Sequence, residues 1–425
     1  MVAIAEGADP GLLRSARGQV LCPWLTEALG TAAAWDLDCG PAPYEPSNLA
    51  SAFTGRGRGH HGCYSYWKIR SEAGAAPAVL TSSDVLVPRL WAWPQLAGKR
   101  FALVNVQLTF PPEPLDGIVL SYLMAQTLRY TWPRDLVHEL KRRGLGYGHD
   151  VSVFYRGEPP ASYFAAILKV ARYQLEAALA LGAEHDVLIV NLTIVDRLSH
   201  FLWHEADASD AYADAETGEL SRLWLGYAFL DEALARLDRL AGDDPMLVFS
   251  EIGFGPLDGF ERLDTALAAG GFCRLDASGH VAEDGWVARE AVQGSHGILL
   301  NDGSPALRQE VADCLRASHN ASGQPLVARA DPREALYEGP AVALAPDLVV
   351  TPADPRRPPM GDLRWAEHVN RTLQTGWHRD GGFLCVKRAR PVAGAASLEA
   401  IAPTIAALGG REAPENCVAP VATRL

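Results

Sequence analysis

Short apolar runs, rich in β-branched residues, alternate along this chain with stretches of helical periodicity, and this alternation restricts the fold more than any other feature. The predicted strands are residues 2–6, 101–107, 186–195 and 246–250. The clearest helices are residues 163–181 and 223–240, where apolar residues recur at three- and four-residue spacing. Strands that are apolar on both faces and alternate with helices predict an α/β fold, with a mostly parallel central sheet flanked by helices.

Polar side chains stand where these predicted strands end. They are Glu6, Gln107, Asp196 and Glu251. In parallel sheets, binding and catalytic groups collect at the carboxyl ends of the strands. We therefore expect the functional site at this edge of the sheet.

The pattern of elements changes in the last third of the chain. From about residue 262 to 370 glycine and proline are frequent and the apolar runs are short, with a proline-rich stretch at 351–362. We interpret residues 1–261 as the core, 262–370 as a smaller inserted subdomain, and 371–425 as the C-terminal part of the core. The 425 residues, 48% of them hydrophobic, are enough for an arrangement of this size.

Charge and composition exclude several classes of function. The formal net charge of -13 disfavours binding to nucleic acid, and an anionic substrate would need a local positive site such as a metal ion. The start of the chain lacks the features of a signal peptide, and no apolar run reaches the roughly 20 residues of a membrane span. The seven cysteines form no CxxC pair, which argues against a disulfide framework and a zinc–thiolate site. We expect a cytoplasmic protein with a small-molecule substrate and no membrane partner, and leave a homodimer open.

The strongest chemical signal is Asp196 followed four residues later by His200, directly after a predicted buried strand. Residues at this spacing lie on one face of a helical turn, so both side chains can reach one cation. Carboxylate and imidazole together suit zinc or manganese. The alternative is an aspartate that caps a helix and an ordinary histidine.

The surrounding segment, VNLTIVDRLSHFLWH, and the later segment TGWHRDGGFL resemble two motifs of the type I phosphodiesterase/nucleotide pyrophosphatase family, within the alkaline phosphatase superfamily. The resemblance implies that His378 is a third ligand beside Asp196 and His200. Three protein ligands with one open position are typical of a catalytic zinc site. The implied cofactor is one Zn²⁺, with Mn²⁺ or Mg²⁺ as alternatives.

Further segments resemble the family in the family's own order, which extends the resemblance over most of the chain. They include AIAEGADPGLL, YEPSNLASAFTGRGRGHHG and FSEIGFGP. The implied fold is the alkaline-phosphatase-like sandwich, with a subdomain inserted before the last core segment.

These segments depart from the family where its second metal and its nucleophile belong. Glu6 stands in place of an aspartate, and Glu251 and Ile252 replace an Asp-His pair. The threonine or serine nucleophile falls at Tyr44 or Glu45, neither of which is an aliphatic alcohol. We therefore expect the family's covalent mechanism to be lost.

The replacements leave three carboxylates near the vacated second site, and we predict that Glu6, Glu45 and Glu251 are the catalytic, proton-transferring groups. Two alternatives remain. The site has decayed and the glutamates are incidental, or Ser47, a hydroxyl just past the expected position, is the nucleophile.

Three residues are candidate substrate contacts: Arg379 beside His378, Thr109 after a core strand, and Tyr44. Arginine suits an anionic group, whereas a turn role for Thr109 is equally open. His61, in a His-Gly pair, is interpreted as structural.

The leading functional hypothesis is a single-metal enzyme that hydrolyses, eliminates or transfers an ester-like group, such as a phosphate ester, on a small molecule in specialised biosynthesis. One alternative is a two-metal phosphodiesterase with substituted ligands. Another is a catalytically inactive binding protein. Metal content separates the three.

Overall fold

A computed structural model describes residues 1–31, 33–70, 77–122, 127, 129–148, 155–206, 221–362 and 373–425. The strands in this part of the chain are β1 (Val2–Ala5), β2 (Ala34–Leu37), β3 (Phe101–Val106), β4 (Gly117–Ser121), β5 (Thr131–Trp132), β6 (Val187–Leu192), β7 (Met246–Ser250), β8 (Gly253–Pro256), β9 (Ala288–Glu290), β10 (Gly297–Leu300), β11 (Val327–Pro332), β12 (Leu348–Pro352), β13 (Gly376–Arg379), β14 (Gly382–Lys387), β15 (Ala389–Pro391) and β16 (Ala422–Arg424).

The α-helices in the described residues are α1 (Pro10–Arg14), α2 (Ala16–Leu21), α3 (Pro23–Leu29), α4 (Glu45–Thr54), α5 (Arg58–His61), α6 (Leu136–Arg142), α7 (Pro160–Gly182), α8 (Ile194–Leu202), α9 (Arg222–Ala241), α10 (Leu263–Ala269), α11 (Pro305–Ala317), α12 (Arg333–Leu336) and α13 (Ile401–Leu408). None of them combines the length and apolar character needed to cross a membrane.

An eight-stranded sheet with the order β2-β14-β7-β1-β6-β3-β4-β5 forms the centre of the molecule. The inner strands β7, β1, β6, β3 and β4 run parallel, whereas β14, β2 and β5 pair antiparallel at the two sides. Along β1, Ala3 and Ala5 belong to one hydrophobic cluster and Val2 and Ile4 to another, as alternation along a strand requires. Both faces are therefore buried, and the predicted parallel sheet between helical layers is confirmed.

Most predicted elements agree with the structure to within a few residues, but the strand predicted at 186–195 is too long. β6 ends at Leu192, and Ile194 begins α8. Ile194 and Val195 look like a continuation of the strand because they are β-branched. In the structure they share one buried cluster with Leu198 and Phe201, which is helical spacing, so packing against the core overrides the local strand preference.

A separate four-stranded sheet, with the order β11-β12-β10-β9, lies within the region predicted as the inserted subdomain. Its own hydrophobic cluster joins α10 and α11 to the strands. The subdomain limits stay a prediction, and the predicted boundary at 370–371 lies outside the described residues. All seven cysteines are free.

Candidate active site

Four buried side chains from three distant parts of the chain meet at the edge of the central sheet. Asp196 and His200 lie one turn apart on α8, directly after β6. His378 lies on β13, opposite Phe254 of β8. Glu45 is the first residue of α4. We call Glu45, Asp196, His200 and His378 the metal cluster, because each offers one ligand atom and these atoms lie within 4.8 Å of one another.

The distances within the metal cluster match the edges of a small tetrahedron. His378 Nε2 lies 3.2 Å from His200 Nε2, 3.4 Å from Asp196 Oδ1 and 3.6 Å from Glu45 Oε1. His200 Nε2 lies 3.7 Å from Asp196 Oδ1. A tetrahedral zinc ion with ligand bonds of about 2.0–2.1 Å has ligand–ligand edges of about 3.3–3.4 Å. The four distances are close to these edges, and the donor atom of Glu45 lies within 4.8 Å of those of Asp196 and His200, so the set can close around one such ion.

The protonation of the two histidines also fits a metal. Burial lowers the pKa of His200 to about 3, although Asp196 opposes this shift. Burial likewise lowers the pKa of His378, again against the effect of Asp196. Both imidazoles are therefore neutral at pH 7, and neutral imidazole is the form that binds metals.

The two carboxylates of the cluster differ in how far the protein compensates their negative charge. Burial alone would raise the pKa of Asp196, but His200, Arg197 and His378 together hold it below its usual range. Burial, and then the charges of Asp196 and Glu6, raises the pKa of Glu45 well above its usual range. Asp196 Oδ1 and Glu45 Oε2 are buried without a well-formed hydrogen bond from a described residue. A divalent cation would compensate these charges and use these lone pairs.

A second group of side chains, Glu6, Arg197, Glu251 and Ile252, lies beside the metal cluster, and we call it the second pocket. Glu6 Oε2 accepts hydrogen bonds from Gln107, at 2.9 Å, and from Asn191. Neither carboxyl oxygen of Glu251 has a hydrogen-bond partner among the described residues. Burial, followed by the charge of Glu6, raises the pKa of Glu251 well above its usual range.

Three residues in or beside these two groups, Arg197, Tyr122 and Tyr66, were not predicted from the sequence. Arg197 forms ion pairs with Asp196, at 3.1 Å, and with Glu6, at 3.8 Å. Tyr122 accepts a 2.6 Å hydrogen bond from Arg197. The hydroxyl of Tyr66 is buried without a hydrogen-bond partner in the described part of the chain. The arginine directly after Asp196 could have indicated a charged partner for that aspartate. No sequence pattern marks Tyr66.

The three candidate substrate contacts have different surroundings. The ring of Tyr44 lies 5.5 Å from that of His378 and 5.2 Å from that of Tyr66, so it borders the metal cluster. The Arg379 guanidinium donates to the backbone carbonyls of His378, at 2.9 Å, and Pro256. Thr109 donates to the carbonyl of Val106 at 2.6 Å, which is a turn contact. Their substrate-binding roles stay predictions.

Two other residues singled out in the sequence lie in α4 and α5. Ser47 is fully buried on α4, and its hydroxyl has no hydrogen-bond partner among the described residues. His61 Nδ1 accepts from the Cys63 N–H at 3.1 Å, and Nε2 lies 2.9 Å from Ser51 Oγ. Burial lowers the pKa of His61 to about 3. Both ring nitrogens are thus engaged locally, in agreement with a structural role.

A cavity of about 450 Å³ reaches His378 from outside. Pro41, Pro43 and Arg379, from the predicted core, form one part of its wall. His296, directly before β10, and Thr351 of β12 form another part, next to the four-stranded sheet. The predicted core and the predicted subdomain thus line one opening next to the metal cluster.

Comparisons with known proteins agree with this architecture. The family model for type I phosphodiesterase/nucleotide pyrophosphatase matches residues 28–378. A phosphonoacetate hydrolase from Sinorhizobium meliloti 1021, solved with phosphonoformate, superposes with a TM-score of 0.61 at 15% identity, over 94% of this chain and 93% of that one. Human ectonucleotide pyrophosphatase/phosphodiesterase 5 gives 0.56 at 11% identity, over 98% and 97%. The alkaline phosphatase PafA gives 0.59 at 12% identity, over 99% and 97%. No match was found among curated protein sequences.

Proposed function

Because this chain belongs to the type I phosphodiesterase/nucleotide pyrophosphatase family, it is a metal-dependent enzyme of the hydrolase kind, and we propose that it uses one metal ion to act on an ester-like bond of a small molecule. The observation that carries this proposal is the metal cluster, in which two imidazole nitrogens and two carboxylate oxygens lie within 4.8 Å of one another. Two nitrogen and two oxygen donors at tetrahedral spacing favour zinc over magnesium, which prefers octahedral oxygen ligands.

Asp196, His200 and His378 would hold the ion. When bound, a divalent ion polarises an ester oxygen and stabilises the negative charge that develops during the reaction. Asp196 reaches the cluster with Oδ1, while its Oδ2 is paired with Arg197 at 3.1 Å. This second contact orients the ligand, as outer partners of metal ligands commonly do.

Glu45 stands at the fourth corner of the cluster, at one of the two positions, Tyr44 or Glu45, where the family resemblance places the nucleophile. Catalytic metal sites keep one position for substrate or water. We infer that the Glu45 carboxylate turns away from this corner when substrate enters, and that it accepts the proton of the water molecule that attacks the ester-like bond. Glu45 is the first residue of α4, and helix N-termini stabilise anions, so this position favours the charged carboxylate that can accept a proton.

Glu6 and Glu251 have different surroundings, and we infer different roles for them in proton transfer. The Glu6 carboxylate accepts from two amide groups and is thereby fixed as an acceptor. Glu251 has no such donors among the described residues, and its burial favours the protonated form. We therefore infer that Glu251 is the acid that gives a proton to the leaving group.

The proposed substrate is a small molecule that enters through the cavity at His378. A volume of about 450 Å³ lies in the range of small-molecule sites, roughly 300–1,000 Å³. Arg379 lines this cavity, and the ring of Tyr44 lies 5.5 Å from that of His378. A phosphate ester is the substrate class that the family favours. Specialised biosynthesis and a homodimer stay predictions of the sequence.

Elemental analysis of the purified protein tests the proposal. We expect one divalent ion per chain in the wild type, and none in His200→Ala and His378→Ala. The control is His204→Ala, because His204 is an exposed imidazole four residues beyond His200. Full occupancy in both ligand variants would show that the ion lies elsewhere, and a metal-free wild type that stays inactive after metal is added would favour a binding protein.

A further inference from the structure

A positively charged side chain lies beside Glu6, one of the residues that stand where the family resemblance places ligands of a second metal ion. Arg197 directly follows Asp196 on α8, and its side chain is 11% exposed. Its Nη1 lies 3.1 Å from Asp196 Oδ2, and its Nη2 lies 3.8 Å from Glu6 Oε1. Glu6 occupies the position of an aspartate that binds the second metal in the family pattern.

The second pocket has the charge of a metal site but not its ligands. Glu6 and Glu251 are both fully buried, and buried carboxylates are costly unless a cation or hydrogen bonds compensate them. Ile252, also fully buried, belongs to the hydrophobic core and removes the family's histidine ligand. The ion pair of Arg197 with Glu6 supplies positive charge to the second pocket, and its ion pair with Asp196 holds the guanidinium between the pocket and the metal cluster.

We propose that the Arg197 guanidinium replaces the family's second metal ion, so that this enzyme works with one exchangeable ion and one fixed cation. The inference rests on the proposed function, since it takes the metal cluster as the site of the single ion. A guanidinium is planar and permanently charged, so it can bridge two carboxylates and cannot be removed by a chelator. A divalent ion brought within a few ångströms of it would be repelled.

This replacement also accounts for the absent nucleophile. A metal ion can bind a hydroxyl oxygen directly and lower its pKa, whereas a guanidinium can only donate hydrogen bonds and attract negative charge. A serine or threonine next to Arg197 would therefore gain little activation. The loss of a second metal and the change of the nucleophile position to Tyr44 or Glu45 are consistent parts of one altered site.

The test is the number of Mn²⁺ ions bound per chain, measured by titration with electron paramagnetic resonance detection of the free ion. We expect one ion in the wild type, one in Arg197→Lys, and a second, weaker ion in Arg197→Ala and Arg197→Gln, where the carboxylates lose their fixed cation. Arg236→Ala, which removes a surface ion pair with Glu176, is the control and should bind one ion.

Each outcome separates this inference from the proposed function. A wild type that binds two ions under excess Mn²⁺ overturns the role of Arg197 even if neither neutral variant folds. Folded neutral variants that still bind one ion also overturn it, and leave the single-metal proposal intact. A wild type that binds no ion overturns both.

Discussion

The metal cluster and the second pocket lie side by side, and both contain buried carboxylates, yet their chemistry differs. In the metal cluster, donor atoms of Glu45, Asp196, His200 and His378 converge, and buried oxygens lack good hydrogen bonds from the described residues. In the second pocket, Glu6 is engaged by amide donors and by the cation of Arg197. Convergent lone pairs of imidazole and carboxylate call for a metal ion, whereas a carboxylate such as Glu6, which already has donors and a cation beside it, does not.

The difference shows why counting acidic residues is a poor guide to metal sites. The family resemblance alone places carboxylates at both positions, one with a complete set of three metal ligands and one whose ligands are replaced. The direction of each side chain and the identity of its partners separate them. Two predictions test this division of roles, and a third contrasts both groups with a buried acidic pair elsewhere; they follow in order of decreasing expected effect.

The first prediction concerns the metal cluster. Glu45→Gln keeps the size of the side chain but removes the proton acceptor, while three ligands remain for the ion. We expect the rate on a turned-over substrate to fall on the order of 10²–10⁴-fold, or at least about 2.7 kcal/mol in the activation barrier, with metal content unchanged. Glu334→Gln, at an exposed position on α12, is the control. Loss of the ion together with the rate would show that Glu45 is an essential ligand and not the base.

The second prediction concerns the second pocket. Glu251→Gln replaces the inferred acid by a neutral amide of the same shape, and we expect roughly a hundredfold loss of rate with the ion retained. The loss should be smaller for a substrate whose leaving group needs no proton, such as a nitrophenyl ester, than for an alkyl ester. If Glu6→Gln loses more rate than Glu251→Gln on the alkyl ester, the assignment of the two glutamates is reversed.

A buried acidic pair away from both groups provides the third prediction. Asp264 Oδ1 accepts from the Glu290 N–H at 2.7 Å, and Glu290 Oε2 accepts from the Asp264 N–H at 3.2 Å. Burial raises the pKa of Asp264 to about 6, and burial together with the charge of Asp264 raises the pKa of Glu290 to about 8. This pair is bonded to backbone donors, so we expect it to affect stability and not metal binding.

The folded protein holds these two protons to a higher pH than the unfolded chain, whose carboxyl pKa values are about 4. The free energy of unfolding should therefore fall as the pH rises from about 4 to about 8. Asp264→Asn keeps the Oδ1 acceptor but removes the charge, and should reduce this fall by on the order of 1 kcal/mol. Urea unfolding at pH 5 and pH 8.5, with exposed Asp313→Asn as control, measures it. Equal pH dependence in the wild type and Asp264→Asn would contradict the prediction.

The amino-acid sequence determined the class of fold and one half of the metal cluster. Hydrophobic periodicity is a local property, so the sequence by itself was enough to locate β1, β3, β7, α7 and α9. The four-residue spacing of Asp196 and His200 is also local, because one helical turn fixes it. His378 could be predicted as a ligand only through the family resemblance, because no pattern in its own segment shows that it lies next to α8.

Only the tertiary structure decided the rest. Glu45 reaches the metal cluster because α4 begins at the edge of the central sheet, and its contact with His378 depends on how distant parts of the chain pack. The sequence suggested that Glu6, Glu45 and Glu251 form one group, but the side-chain directions place Glu45 with the histidines and Glu6 with Arg197. A residue's type fixes what it can bind, whereas its partners depend on long-range packing that no local pattern records.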